Sequence, residues 1–212
     1  EEVDERMRRA LAHDDEAAMA GVRYRVKDTT AGLDGILRWC PVCGAWGTLV
    51  TRRGHIRCTA CTLDATLDEN YRLHGAPCDT VNAWFDRQQT MIDLATPVLA
   101  EVTVEALNRR GRLERHAGHG VVTLDREAFT FSGEVFGERA DFSLSTEELG
   151  GIPVTVAKHI DVYHNNRLLR LYPVREPRAA ILFTCYLDKL HGVTPPMLGD
   201  GKETSHVEHT GD

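Results

Sequence analysis

Four cysteines constrain this chain more than any other feature. They form two C-x-x-C pairs, Cys40-Pro41-Val42-Cys43 and Cys58-Thr59-Ala60-Cys61, joined by the stretch from Gly44 to Arg57. Two residues between thiols let both sulfurs of a pair face one centre from a tight turn. Two such turns supply a tetrahedron of sulfur, the closed geometry of structural Zn²⁺ at about 2.3 Å per bond. The intervening stretch reads as a β-ribbon: Thr48 to Thr51, a turn at Arg52-Arg53-Gly54-His55, then Ile56-Arg57. A zinc ribbon is therefore expected, with Zn²⁺ held by Cys40, Cys43, Cys58 and Cys61. Iron is the runner-up, because Gly44 suits the rubredoxin-like knuckle, where a residue at φ > 0 turns backbone N–H groups toward sulfur. A redox C-x-x-C is expected beside a βαβ unit, a pattern this chain lacks.

The formal charge of −7 is concentrated at the ends: residues 1–16 carry −4 and residues 199–212 carry −3, so the stretch between is neutral. No long apolar run suggests a membrane span. One local excess is basic. From Gly35 to Leu63 there is no acidic residue, and Arg38, Arg52, Arg53 and Arg57 contribute +4. A four-thiolate zinc centre carries −2, so half of this compensates the metal. What remains would give a weak, salt-sensitive contact with an anionic surface. Nucleic acid is not expected as a partner.

Periodicity divides the rest. Residues 1–38 read as a helical segment ending a preceding domain, 39–75 as the ribbon, and 76–97 as a linker helix capped by Asp79 and ended by Pro97. Residues 98–192 carry about seven alternating strands, with an Asn165-Asn166 hairpin turn, and then a helix. Pro177 opens that helix and Gly192 follows it, with Ala179, Leu182, Phe183, Tyr186, Leu187 and Leu190 on one face. Seven antiparallel strands plus one C-terminal amphipathic helix is the pleckstrin-homology pattern. The expected class is α+β: a zinc ribbon, a linker helix, and a seven-stranded PH-like antiparallel barrel with its helix. Residues 193–212 read as a mobile tail.

Several short stretches together resemble the C-terminal extension of a group of bacterial 1-acylglycerol-3-phosphate acyltransferases. They are Cys40-Pro-Val-Cys43-Gly44, Arg57-Cys-Thr-Ala-Cys61, Ala83-Trp84-Phe85-Asp86-Arg87-Gln88, Asp141-Phe-Ser-Leu-Ser145, Gly150-Gly-Ile152 and Ile160-Asp-Val-Tyr-His-Asn165. Leu11-Ala-His13-Asp14-Asp15 resembles the last segment of that group's catalytic domain. The resemblance spans most of residues 5–191. It implies an accessory region of a lysophospholipid acyltransferase whose catalytic domain lies outside this sequence. That domain would be its partner, and the whole would work in the cytoplasm, peripheral to the membrane. The family's catalytic signature, N-H-x-x-x-x-D, pairs a histidine base with an aspartate. The one H-x-x-x-x-D, His74 to Asp79, lacks the preceding Asn and contains Pro77, and the family's phosphate-binding motif is absent, so no catalytic role is transferred. The rival reading is a zinc-ribbon adaptor for nucleic acid or protein. The remaining cysteines are Cys185, expected as an inert buried thiol in the last helix, and Cys78, whose reactivity the sequence leaves open.

Overall fold

The structure is a computed structural model that describes residues 21–192 except 24, 109, 150, 151, 156, 157 and 166. Of the helical segment expected over residues 1–38, the described part from residue 21 holds a single 3₁₀ turn, Leu33–Gly35, and is otherwise irregular; residues 1–20 and the expected tail lie outside the described residues. The elements are strands β1 (Leu49–Arg52), β2 (His55–Cys58), β3 (Asp64–Leu67) and β4 (Leu73–His74), helix α1 (Val81–Thr90), strands β5 (Val98–Leu107), β6 (Leu113–Leu124), β7 (Ala128–Val135), β8 (Glu138–Ser145), β9 (Val154–Thr155), β10 (His159–His164) and β11 (Arg167–Pro173), and helix α2 (Ala180–Leu190). The class is α+β. A four-stranded antiparallel sheet runs β1-β2-β3-β4, and a seven-stranded one runs β8-β7-β6-β5-β11-β10-β9.

The small sheet is longer than the hairpin expected between the cysteine pairs. After Cys61 the chain adds β3, which pairs with β2, and then β4. One side of this sheet buries Leu49, Ile56, Ala65, Leu67 and Leu73. Helix α1 completes that core. Its Trp84 is fully buried and donates its indole N–H to the Trp39 carbonyl at 2.9 Å. Gln88, also fully buried, accepts from the Arg38 and Trp39 amides and donates to the Ile36 carbonyl at 3.0 Å. The helix expected as a linker is thus packed into the ribbon.

Two details of α1 depart from expectation. Its N-cap is Thr80, whose hydroxyl accepts from the Ala83 amide at 3.1 Å; Asp79 lies one residue outside, and its carbonyl accepts from Leu73. The helix also stops at Thr90, well short of Pro97. Asp93 draws the chain out of the helix by accepting from the Ala95 amide and the Thr96 hydroxyl, a local bond that competes with helical ones. The Lys189 ammonium donates to the Thr90 and Ile92 carbonyls, satisfying the helix end with a cation.

The seven-stranded sheet alternates as a half-buried sheet should. Leu169 and Leu171 point inward while Arg170 and Tyr172 point outward. Its core joins Val102, Val122, Leu124, Phe129, Phe131, Ile160 and Leu171 to Phe183, Tyr186 and Leu187 of α2. Beside Gly118 the chains approach so closely that a Cβ would lie 1.9 Å from the Glu134 carbonyl oxygen, which restricts that position to glycine.

The expected barrel is corrected to an open sheet. Among the described residues its end strands, β8 and β9, pair with β7 and β10 and not with each other. The cause is the length of β9. Among the described residues only Val154 and Thr155 form a ladder there, too few to carry backbone pairing across to the much longer β8. Side chains bridge the seam instead: the Phe142 ring of β8 stacks on His164 of β10 at 4.2 Å between centroids and on Phe131 at 5.3 Å.

Arg23–Val193 form one compact unit. Arg38, on the ribbon, is ion-paired with Glu176 at the start of the C-terminal helical segment, and Arg178 meets Asp34 at 2.5 Å. Phe85 packs against both cores, and Trp46 of the ribbon packs against the larger one.

Candidate metal centre

The two C-x-x-C turns bring their sulfurs together. Cys40 and Cys61 are 3.6 Å apart, Cys43 and Cys58 are 3.8 Å apart, and all four sulfurs lie within 4.8 Å of one another. A tetrahedral ion with bonds of about 2.3 Å requires ligand–ligand distances of about 3.8 Å, so the quartet is arranged to hold one metal ion. Local sequence explains the arrangement. Gly44, at φ 73°, closes the first turn with its amide on the Cys40 carbonyl at 2.9 Å. Strand β2 delivers Cys58, and the Cys58 amide bonds the Leu63 carbonyl at 3.1 Å, which closes the second turn.

The surroundings favour a thiolate at Cys58. The Ala60 amide donates to Cys58 Sγ at 3.3 Å, and the Thr48 hydroxyl lies 3.2 Å from it. Burial acts to raise the Cys58 pKa. The Thr48 and Ala60 donors and the neighbouring thiols outweigh it and bring Cys58 down to about 6. Cys40 is fully buried, and desolvation pushes it up to about 12 in spite of the amides of Cys43 and Val42. Without a cation the quartet therefore cannot ionise together. A bound divalent metal supplies the charge that lets Cys40 join Cys58 as thiolate. Cys43 is exposed and Cys61 half-buried, so the centre sits near the surface. Among the described residues this quartet is the cluster of Cys, His, Asp and Glu that can hold a metal.

The basic run dissolves when placed in space. Arg38, expected on an anion-facing surface with the other three, is buried: it is 3% exposed, paired with Glu176 and bonded to the Asp34 carbonyl. Arg57 is exposed but spent on Asp64 at 2.9 Å, which His55 also contacts. Arg52 and Arg53 remain exposed at the β1–β2 turn. Strand β3, by pairing with β2, is what brings Asp64 beside Arg57. His74 hydrogen-bonds Asp68 at 2.9 Å instead of serving Asp79.

Sequence reasoning missed the carboxylate that builds the ribbon turn. Asp28 accepts from the amides of Arg53 and Gly54 and from the amide and hydroxyl of Thr30. These donors, the Gly54 amide foremost, hold it at about 2, well below the ordinary carboxylate value. The local signal is the Asp28-x-Thr30 turn. Its long-range half, on the distant β1–β2 turn, leaves no trace in the sequence.

No family profile, curated protein or solved structure matches this chain. No helix among the described residues is long and apolar enough to cross a membrane.

Proposed function

We propose that this chain is a non-catalytic accessory region, its ribbon held by structural Zn²⁺, that positions or regulates a lysophospholipid acyltransferase domain in phospholipid biosynthesis. The carrying observation is the closed four-sulfur cluster. With four protein ligands a tetrahedral ion has no vacant position for substrate, so its role is to hold the fold. The all-sulfur set favours zinc over harder ions, with iron the runner-up. The ion pairs Arg38–Glu176 and Arg178–Asp34 join the ribbon to the larger sheet, as suits a module that transmits position. The larger sheet, a four-strand and a three-strand meander followed by a helix, supports a PH-like reading with the barrel open. The acyltransferase context rests on the resemblance alone, and membrane contact would come mainly through the partner domain. A nucleic-acid adaptor is disfavoured because Arg38 and Arg57 are already paired within the chain.

Elemental analysis of untagged protein tests the metal; one zinc per chain is expected, and substoichiometric metal or iron overturns the assignment. Cys58→Ser leaves three thiolates, and the ribbon should lose its metal and much of its folding energy, of order 10 kcal/mol. Acyl transfer to lysophosphatidic acid by this chain alone, abolished by His74→Ala, would overturn the non-catalytic reading. Co-purification with an acyltransferase domain expressed in trans tests the partnership.

A further inference from the structure

A hollow of about 530 Å³ lies on the outer face of the large sheet, and none of its lining residues belongs to the metal centre. Its lining comes from four places in the chain. Thr103 and Glu105 come from β5, Leu113, Arg115 and His116 from β6, Lys158 from the turn before β10, and Arg170 and Tyr172 from β11. The β5–β6 pairing is irregular there. Val104 faces Gly118 but Ala106 faces Glu114, so Arg115, His116 and Ala117 bulge opposite Glu105. His116 sits at φ 60°, in the left-handed region that residues other than glycine adopt uncommonly. Bulges of this kind re-aim side chains and concentrate at functional sites.

The polar groups are ordered in a way a plain sheet surface does not need. Glu105 is only 7% exposed although it lies on the outward side. Tyr172 donates its hydroxyl to Glu105 Oε2 at 2.6 Å, and Arg115 Nε stands 3.9 Å from Oε1. Behind them Asp161 lies 3.4 Å from both Arg170 and His159. Both carboxylates therefore have partners within the protein, Glu105 by a hydrogen bond and Asp161 by ion pairs alone. Of the cations, Arg170 is engaged through Nε with Asp161, while Lys158 and Arg115 are freer. The Lys158 ammonium has no ion pair or side-chain hydrogen bond among the described residues, and the Arg115 side chain is 88% exposed with a single distant partner. Arg115, Lys158 and Arg170 reach the hollow from three different segments, two of them as guanidinium forks.

We propose that this hollow binds a phosphoryl anion, with Arg115, Lys158 and Arg170 as its ligands around the Glu105 carboxylate that Tyr172 holds. A tetrahedral dianion offers acceptors in several directions at once, which matches cations arriving from three segments better than a planar carboxylate does. The volume is in the range of small-ligand sites. The phosphoryl group could belong to a free phosphomonoester or to a lipid headgroup, and the same chemistry serves both.

The test uses the full chain loaded with zinc. One arm titrates inorganic phosphate and glycerol 3-phosphate by calorimetry at constant ionic strength. The other floats the protein with phosphatidylcholine vesicles carrying phosphatidic acid or, at equal charge, phosphatidylglycerol. Arg115→Gln and Lys158→Gln, both at exposed positions, should each weaken binding about tenfold, as expected for loss of a charge-assisted hydrogen bond. Arg52→Gln, on the ribbon, should leave it unchanged. Saturable, variant-sensitive binding of the soluble probes supports the site and assigns a free phosphomonoester. Variant-sensitive flotation confined to phosphatidic acid supports it and assigns a headgroup. Absence of binding in both arms, or an equal loss with Arg52→Gln, overturns the proposal.

Discussion

Gln88→Leu probes how α1 is tied to the ribbon. The side chain is fully buried and serves three backbone groups: the amides of Arg38 and Trp39 and the carbonyl of Ile36. Leucine has nearly the same volume, so the change leaves little cavity. It leaves three polar groups without partners in a dry setting, at about 1–3 kcal/mol each. Leucine recovers about 1–2 kcal/mol of apolar burial. A net loss of about 3 kcal/mol is expected, a large share of the roughly 5–15 kcal/mol that holds an ordinary domain. For a chain of this size the melting temperature should fall by about 6–12 °C. The assay is urea unfolding followed by circular dichroism and tryptophan fluorescence, with zinc in fixed excess. Gln89→Leu is the control. Gln89 is also buried, but no hydrogen bond of its side chain is found among the described residues, and less than about 1 kcal/mol is expected there. A loss below about 1 kcal/mol for Gln88→Leu would refute the reasoning, because it would mean that water reaches the orphaned amides and that α1 does not buttress the ribbon.

The contact between ribbon and large sheet is tested by Glu176→Gln, which leaves the buried Arg38 guanidinium without its carboxylate; about 1–3 kcal/mol of destabilisation is expected in thermal unfolding, less than for a fully buried pair because Glu176 is half exposed. Asp28 sets an acid dependence. Its folded pKa of about 2 lies below the ordinary 3.8, so its stabilisation is complete above about pH 4 and is lost as pH falls toward 2. Hydrogen exchange at Gly54 should accordingly be faster in Asp28→Asn than in wild type at pH 6, and equal protection at that pH would remove Asp28 from the turn. Thiol chemistry separates the cysteines. In metal-stripped protein at pH 7, limiting iodoacetamide should label the exposed Cys43 well before Cys185, which is fully buried and whose thiol burial pushes up to about 12. Labelling of Cys185 first, found by peptide mapping, would contradict its placement in the core.

The metal cluster was legible because its determinants are local. Each C-x-x-C needs only its own turn, and a single hairpin brings the two turns together, so spacing alone carries the geometry. The strands of the large sheet were legible for a related reason: Leu169, Arg170, Leu171 and Tyr172 alternate whatever surrounds them. The helix ends were less so. Thr80 and Asp79 are both good caps, and the choice between them depends on where α1 meets the ribbon.

What the sequence by itself determined is the set of elements whose information lies within a short stretch of chain: the sulfur quartet, the ribbon hairpin, the alternating strands and the apolar face of α2. Tertiary structure alone decided the rest. It turned Arg38 inward to Glu176, near the other end of the described chain, and spent Arg57 on Asp64, so a basic run in sequence did not become a basic surface. It left the sheet open where β9, among the described residues, pairs only through Val154 and Thr155. It gathered Arg115, Lys158 and Arg170 around Glu105 through a bulge and a strand order that brings β11 beside β5. The physical reason is common to all three. Charge and pairing are satisfied by whatever lies nearest in space, and nearness across a sheet is set by topology, which no local window of residues contains.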